Sequence, residues 1–377
     1  MRDARLDRLA EVLVGYSTRV KPGDLVAITA DPAAFPGVEA VYHKVLAAGG
    51  HPFWNARAEA LAEIDLLHAT DEQLAYLSPL SMHMVETIDV QISLWAETNT
   101  RSMGRIDPAR VAAHRQARRP FMHRFLDRAA KGELRWVGTQ YPTLASAQDA
   151  EMSLAQYEDF VFRGGLLHLP DPVAAWRSIK DRQQAVCGFL QGRKVVRFRA
   201  CACDGHDGTD LSVDVSRGTW INCAGLENFP DGEVFAGPQG ADGHVNFTYP
   251  AVYDGREVEG VRLVFSGGRV VDASARKNEA FLIAMLDQDE GARTMGEIAI
   301  GTNYAITEFT RNTLFDEKIG GTFHMACGAG YPESGSNNES ALHWDMVCDL
   351  RKGGSIEADG EIFYRDGAFL NKAWPGA

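Results

Sequence analysis

The sequence is short of cysteine and of the spacings that give cysteine chemistry. Six occur in 377 residues (Cys187, Cys201, Cys203, Cys223, Cys327 and Cys348), and no pair has C-x-x-C spacing. The tight pair Cys201 and Cys203 lies in the run VVRFRACAC, where strand residues two apart share a face but are badly placed to bond to each other. This argues against a disulfide framework or a zinc–thiolate site, and the thiols are expected to be buried and reduced. No apolar run approaches the roughly 18 residues of a membrane-spanning helix. No G-x-G-x-x-G follows a strand, so nucleotide binding has no motif. Positive charge is scarce as well: 38 Lys+Arg face 51 Asp+Glu, a formal net charge of −13. That balance suits neither nucleic acid nor an anionic membrane as a partner, since both need a basic field. The opening MRDARLDRLAEVLVGYS mixes acids into an amphipathic helical pattern, with no apolar leader region or small-residue cleavage site. The expected address is the cytoplasm.

With 45% hydrophobic and 24% charged residues, the composition is that of a globular protein, and the length suits two domains. LVAITA, HPFWNAR, DVQISLWAETNT and LRWVGTQYP read as strands separated by helical stretches, one of them opened by Pro108 and running to about Lys131. Such alternation implies a mainly parallel sheet covered by helices. From about Asp171 the texture changes. One helix, DPVAAWRSIKDRQQAVCGFLQG, leads into short strand-like runs with glycine turns, including a hairpin at Ser266-Gly267-Gly268. The expected class is α/β: an N-terminal α/β domain over 1–180 and a C-terminal α+β domain over 181–377.

Candidate chemistry concentrates near the C-terminus. His43, His83, His114 and His123 sit singly and read as ordinary histidines, whereas His343-Trp344-Asp345 lies in a strand-like segment where positions i and i+2 face the same way. An imidazole and a carboxylate so placed can reach one cation. Alone the triplet is weak, but thirty residues around it also hold Asp316, Glu317, His324, Tyr331, Glu333 and Glu339 among several glycines. Glu297 is the only charge in the apolar run MGEIAIG, and Glu233 follows the turn Pro230-Asp231-Gly232. A carboxylate buried in such a run needs a strong partner, and a divalent cation would supply one.

The segments NFPDGEVFAGP, GEIAIGTN, NTLFDEKIGGTFHMACGAGYP and SALHWDMV, in this order, resemble the metallopeptidase family typified by aminopeptidase T and aminopeptidase S. The resemblance covers most of the chain. It implies a C-terminal catalytic domain with two divalent metals (Zn²⁺, Co²⁺, Mn²⁺ or Mg²⁺), a homodimer, and peptide substrates with a free N-terminus. Carried over residue by residue, Glu233, Glu297, Glu317, His324, His343 and Asp345 match metal ligands, with Glu297 as the bridge between cations. Tyr331, seven residues after His324, matches the group that hydrogen-bonds the tetrahedral intermediate, and Glu317 is also the candidate proton carrier. The competing expectation is a ring-opening dioxygenase acting on dihydroxypyridines. Such enzymes are similar to this family but use one Fe(II) on two histidines and a carboxylate. Retention of Glu at both 233 and 297 favours hydrolysis.

Overall fold

The run Leu25–Ala30 is apolar almost throughout because it is a strand at the inside of a parallel sheet, covered on both faces. The computed structural model describes residues 3–202, 206–253 and 255–376. Cys203, one of the tight cysteine pair, lies outside them. Among the described residues the chain divides into two compact units. One comprises Met1–Val173 with Gly225–Phe229, the other Ala174–Ala224 with Pro230–Ala377.

In the first unit the strands His51–Ala56, Leu25–Ala30, Val90–Trp95, Arg135–Gln140 and Asn228–Phe229 lie side by side in that order, all parallel. The α/β alternation expected from sequence is present, including the helix Phe35–Ala47 between the first two strands. The last strand is two residues long and too short to leave a pattern; it pairs Asn228 with Gly138 and Phe229 with Thr139. The helix expected from Pro108 to Lys131 is in fact two, Pro108–Ala117 and Arg119–Ala130. Pro120 explains the break: it has no N–H to continue the ladder, crowds the residue before it, and is well suited to a helix's first turn.

The second unit takes the helix Pro172–Leu190 from Ala174 onward and builds an eight-stranded and a five-stranded antiparallel sheet, besides the two-stranded pair Ala251–Tyr253 and Arg256–Val258. The larger runs Arg269–Ser274, Arg262–Ser266, Gly240–Asn246, Thr209–Asp214, Val195–Ala200, Ser355–Ala358, Glu361–Arg365, Ala368–Phe369. Its first two strands form the expected hairpin, with Gly267 and Gly268 at φ of 57° and 83°, the left-handed pair that a tight two-residue turn requires. The smaller runs His343–Asp349, Thr322–Gly328, Met295–Gly301, Glu233–Ala236, Ile221–Cys223.

The smaller sheet carries two sets of side chains at a period of two. Val234, Ala236, Ile298, Ile300, Phe323, Met325, Trp344 and Met346 enter one hydrophobic core with Val196, Phe198, Leu211 and Val213 of the larger sheet. The rings of Phe198 and Phe323 meet at 4.5 Å within it. The alternate positions, which point to the opposite face, are Glu233, Glu297, His324, His343 and Asp345.

In the parallel sheet, Gly138 is required by a close approach: a Cβ there would lie 2.4 Å from the Trp95 ring. Gly138→Ala is expected to destabilise the protein by about 1–3 kcal/mol through overpacking. A lowered urea midpoint checks this; an unchanged midpoint would mean that the ring can give way.

Candidate metal centre

Antiparallel register sets the ligand candidates side by side. Glu297 pairs with Ala326, and Ala326 with Asp345, so two carboxylates flank one small residue. One row along, Ala299 lies between Phe235 and His324; Gly301 pairs with Glu233, and Gly328 with His343. The small residues at 299, 301, 326 and 328 leave room above the sheet for the longer polar side chains to converge.

Glu297 stands between the two histidines. Its Oε1 is 3.3 Å from His324 Nε2, and its Oε2 is 3.9 Å from His343 Nε2. Glu233 Oε2 is 3.2 Å from His324 Nε2, and Asp345 Oδ2 is 3.4 Å from His343 Nε2. Donor atoms lie within 4.8 Å of one another in the group Glu233, Glu297, His324 and in the group Glu297, His343, Asp345, which share Glu297. A further group unites Glu317, His324 and Asp345. All six residues matched to metal ligands in the sequence are therefore brought to one place.

Glu317 arrives by a different route. The short helix Thr313–Asp316 is capped by Asn312, whose Oδ1 accepts from Leu314 N at 3.1 Å. Asp316 is held inside by accepting from Thr310 N at 2.7 Å and Thr310 Oγ1 at 3.0 Å, and burial pushes its carboxyl up to about 8. The chain leaves this helix with Glu317 and Lys318 turned into the cluster. Tyr331 lies at its edge, 44% exposed, with its ring 5.3 Å from the His343 ring and 5.7 Å from that of Phe235. Glu333 sits on the exposed turn Pro332–Ser334 and joins none of the metal-competent groups found among the described residues, nor do His43, His83, His114 and His123.

Sequence reasoning gave three participants no part. Lys318, 1% exposed, places Nζ 2.6 Å from Glu233 Oε1, 2.7 Å from Glu317 Oε1 and 3.8 Å from Asp231 Oδ1. Asp231 is itself buried, and Cys223, expected only to pack, has its Sγ grouped with Asp231 and Glu233. The one signal available was that Lys318 directly follows Asp316 and Glu317 and precedes Ile319-Gly320-Gly321.

The residues fit divalent metal. Among them, the buried atoms Glu233 Oε2 and Asp345 Oδ1 have no hydrogen-bond partner, a costly arrangement unless a cation completes it. His343 Nδ1 lies 2.8 Å from Ala329 O, so it donates there and leaves Nε2 for a ligand. Carboxylates with imidazoles form a borderline-to-hard donor set. Within the cluster the carboxylates favour charged imidazoles. Burial opposes the charged form of His324, but its hydrogen bond to Glu297 and the fields of Glu233 and Asp345 outweigh burial and raise it to about 9. His343 is raised to about 10 against the same penalty by Asp345 and Glu297, and burial carries Glu317 up to about 7.

Residues 2–369 match the family model of the thermophilic metalloproteases, M29. The chain belongs to the M29 family of thermophilic metalloproteases. It is accordingly a metal-dependent hydrolase of peptide bonds. Aminopeptidase 2 of Geobacillus stearothermophilus is 27% identical over 410 residues, covering 97% of each chain. The structure of AmpT from Thermus thermophilus superposes with a TM-score of 0.82 at 23% identity, covering 97% of this chain and 99% of that one. The structure of 2,5-dihydroxypyridine dioxygenase from Pseudomonas putida KT2440 shares the fold at a TM-score of 0.59 and 12% identity, covering 98% of each. The M29 match favours hydrolysis over the dioxygenase expectation, because the likeness to that enzyme extends to fold alone.

Metal ligands must be deprotonated, so loading this M29 site at pH 7 should release protons from the imidazoles, and metal affinity should fall as pH falls. Calorimetric titration in two buffers of different ionisation enthalpy reads the release directly. Identical heats in both buffers would mean that the histidines are already neutral.

Proposed function

We propose that the chain is an aminopeptidase that removes residues from the free N-terminus of peptides, using two divalent ions held by Glu233, Glu297, Glu317, His324, His343 and Asp345. The observation carrying the two-ion reading is charge. Asp231, Glu233, Glu297, Glu317 and Asp345 converge with at most 13% side-chain exposure, and among the described residues the cation set among them is Lys318. With neutral histidines and ionised carboxylates, one ammonium and two divalent ions balance these five, whereas one divalent ion leaves two negative charges that only protons could offset. Glu297 supports the same reading, since its two oxygens address different histidines and the two groups it joins share no other member.

When bound, the ions supply a water of lowered pKa, polarise the scissile carbonyl and stabilise the oxyanion. The remaining steps fall to the protein. Tyr331, at the edge of the cluster, is assigned a hydrogen bond from its hydroxyl to the substrate oxygen that becomes tetrahedral. Glu317 is assigned the proton taken from the attacking water and given to the leaving amine. The surplus of carboxylates favours a substrate that presents a positive charge, as a free α-ammonium does. The donor set suits Zn²⁺, Co²⁺, Mn²⁺ or Mg²⁺. The proposal extends to a homodimer, carried over from the family resemblance, which light scattering checks. No helix among the described residues is long and apolar enough to cross a membrane.

The deciding experiment compares hydrolysis of unblocked and N-acetylated peptides by metal-loaded protein, with metal counted in the same sample. Cleavage of unblocked peptides alone, at two ions per chain, is expected. Equal cleavage of both would make the protein an endopeptidase, and a single iron per chain would end the two-ion reading. Glu297→Gln should lose more activity toward leucine p-nitroanilide than the roughly 10–100-fold typical of losing an outer partner of a metal ligand. Full activity in that variant, after metal loading, would rule out a bridging role.

A further inference from the structure

The Cys223, Asp231 and Glu233 side chains place a thiol and two carboxylates within 4.8 Å of one another, beside the proposed centre and inside the same unit. By donor type and spacing this corner suits Zn²⁺ or Co²⁺. Yet Lys318 Nζ stands within it, 2.6 Å from Glu233 Oε1 and 3.8 Å from Asp231 Oδ1, with 1% of its side chain exposed. An ammonium and a divalent ion cannot share the space, since they repel strongly at such range in a buried setting.

We propose that Lys318 is a positioning residue acting as a built-in cation: its ammonium fills the Cys223–Asp231–Glu233 corner, excludes a divalent ion from it, and engages one oxygen each of Glu233 and Glu317. This rests on the reading of Glu233 and Glu317 as metal ligands. The backbone holds the lysine where the role requires. Lys318 N donates to Phe315 O at 3.0 Å, and Asn303 N donates to Lys318 O at 3.0 Å. The Asn303 side chain donates in turn to Asp231 O at 2.8 Å, so one residue ties the lysine to the turn bearing the corner's carboxylate. That turn is tight enough to need glycine, because Gly232 has φ of 127° and a Cβ there would meet Asn303 Cβ at 2.7 Å. With Oε1 of Glu233 engaged by the ammonium, Oε2 is the oxygen that faces His324, at 3.2 Å. The lysine thus distinguishes the two oxygens of a carboxylate that could otherwise chelate in either corner.

The test uses the full chain dialysed to equilibrium against Co²⁺, comparing wild type, Lys318→Gln, and Lys318→Gln combined with Cys223→Ser. Cobalt is counted per chain, and the near-ultraviolet charge-transfer band of a cobalt–thiolate bond is recorded. Wild type should show no such band. Lys318→Gln should bind one more ion per chain than wild type and gain the band, and Cys223→Ser should remove both. A Lys318→Gln protein with the wild-type count and no band overturns the proposal. Should that variant fail to fold, as circular dichroism would report, wild type at saturating cobalt decides: a thiolate band overturns the proposal, and its absence supports it. Because the comparison is a difference between chains, a wild-type count of one rather than two would sink the two-ion reading and leave this test intact.

Discussion

Buried negative charge is the constraint to which the second unit is built. Carboxylates at 233, 297 and 345 on one face of a sheet, joined there by Asp231 from the preceding turn and Glu317 from the end of a short helix, are withdrawn from water, and an isolated charge so placed would cost many kcal/mol. A sheet tolerates this because its other face is committed elsewhere: Ile298, Ile300, Phe323, Met325 and Met346 lock it against the larger sheet. Backbone groups are satisfied by the antiparallel ladders, and on the polar face Glu233 Oε2, His324 Nδ1 and Asp345 Oδ1 keep unmet hydrogen-bonding capacity. Lys318 provides one positive charge by sequence, and the surrounding carboxylates raise the pKa of His324 and His343, favouring their charged forms.

What could be read from the sequence was what strand periodicity writes locally. His343 and Asp345 two apart, Glu297 alone in an apolar run, and the glycines at 267 and 268 each announce their geometry within a few residues. The parallel strands of the first unit were legible for the same reason. Features that depend on distant partners were not. The two-residue strand at Asn228–Phe229 acquires meaning only beside Gly138 and Thr139, and the break at Arg118 follows from a proline that could equally have opened a turn. Lys318 and Cys223 are 95 residues apart in sequence, and nothing local in either marks a shared corner.

Shared architecture separates from shared chemistry in this fold. The dioxygenase from Pseudomonas putida has a similar backbone at 12% identity, so the backbone does not select between hydrolysis and ring opening. Selection falls to the donors mounted on the sheet. In this chain glutamates occupy positions 233 and 297 beside the histidines, and small residues at 299 and 326 keep the space between them free.

Trp344 sits between the two ligand candidates of its strand and faces the other way, 1% exposed among Tyr253, Phe281 and the core. Sliding that strand by one position would drive the indole into the polar face and push an imidazole and a carboxylate into oil, so the slipped form is heavily penalised. The indole is therefore a proofreading device for assembly. A residue buried in the core thus helps to fix the alignment that brings His343 and Asp345 to the polar face.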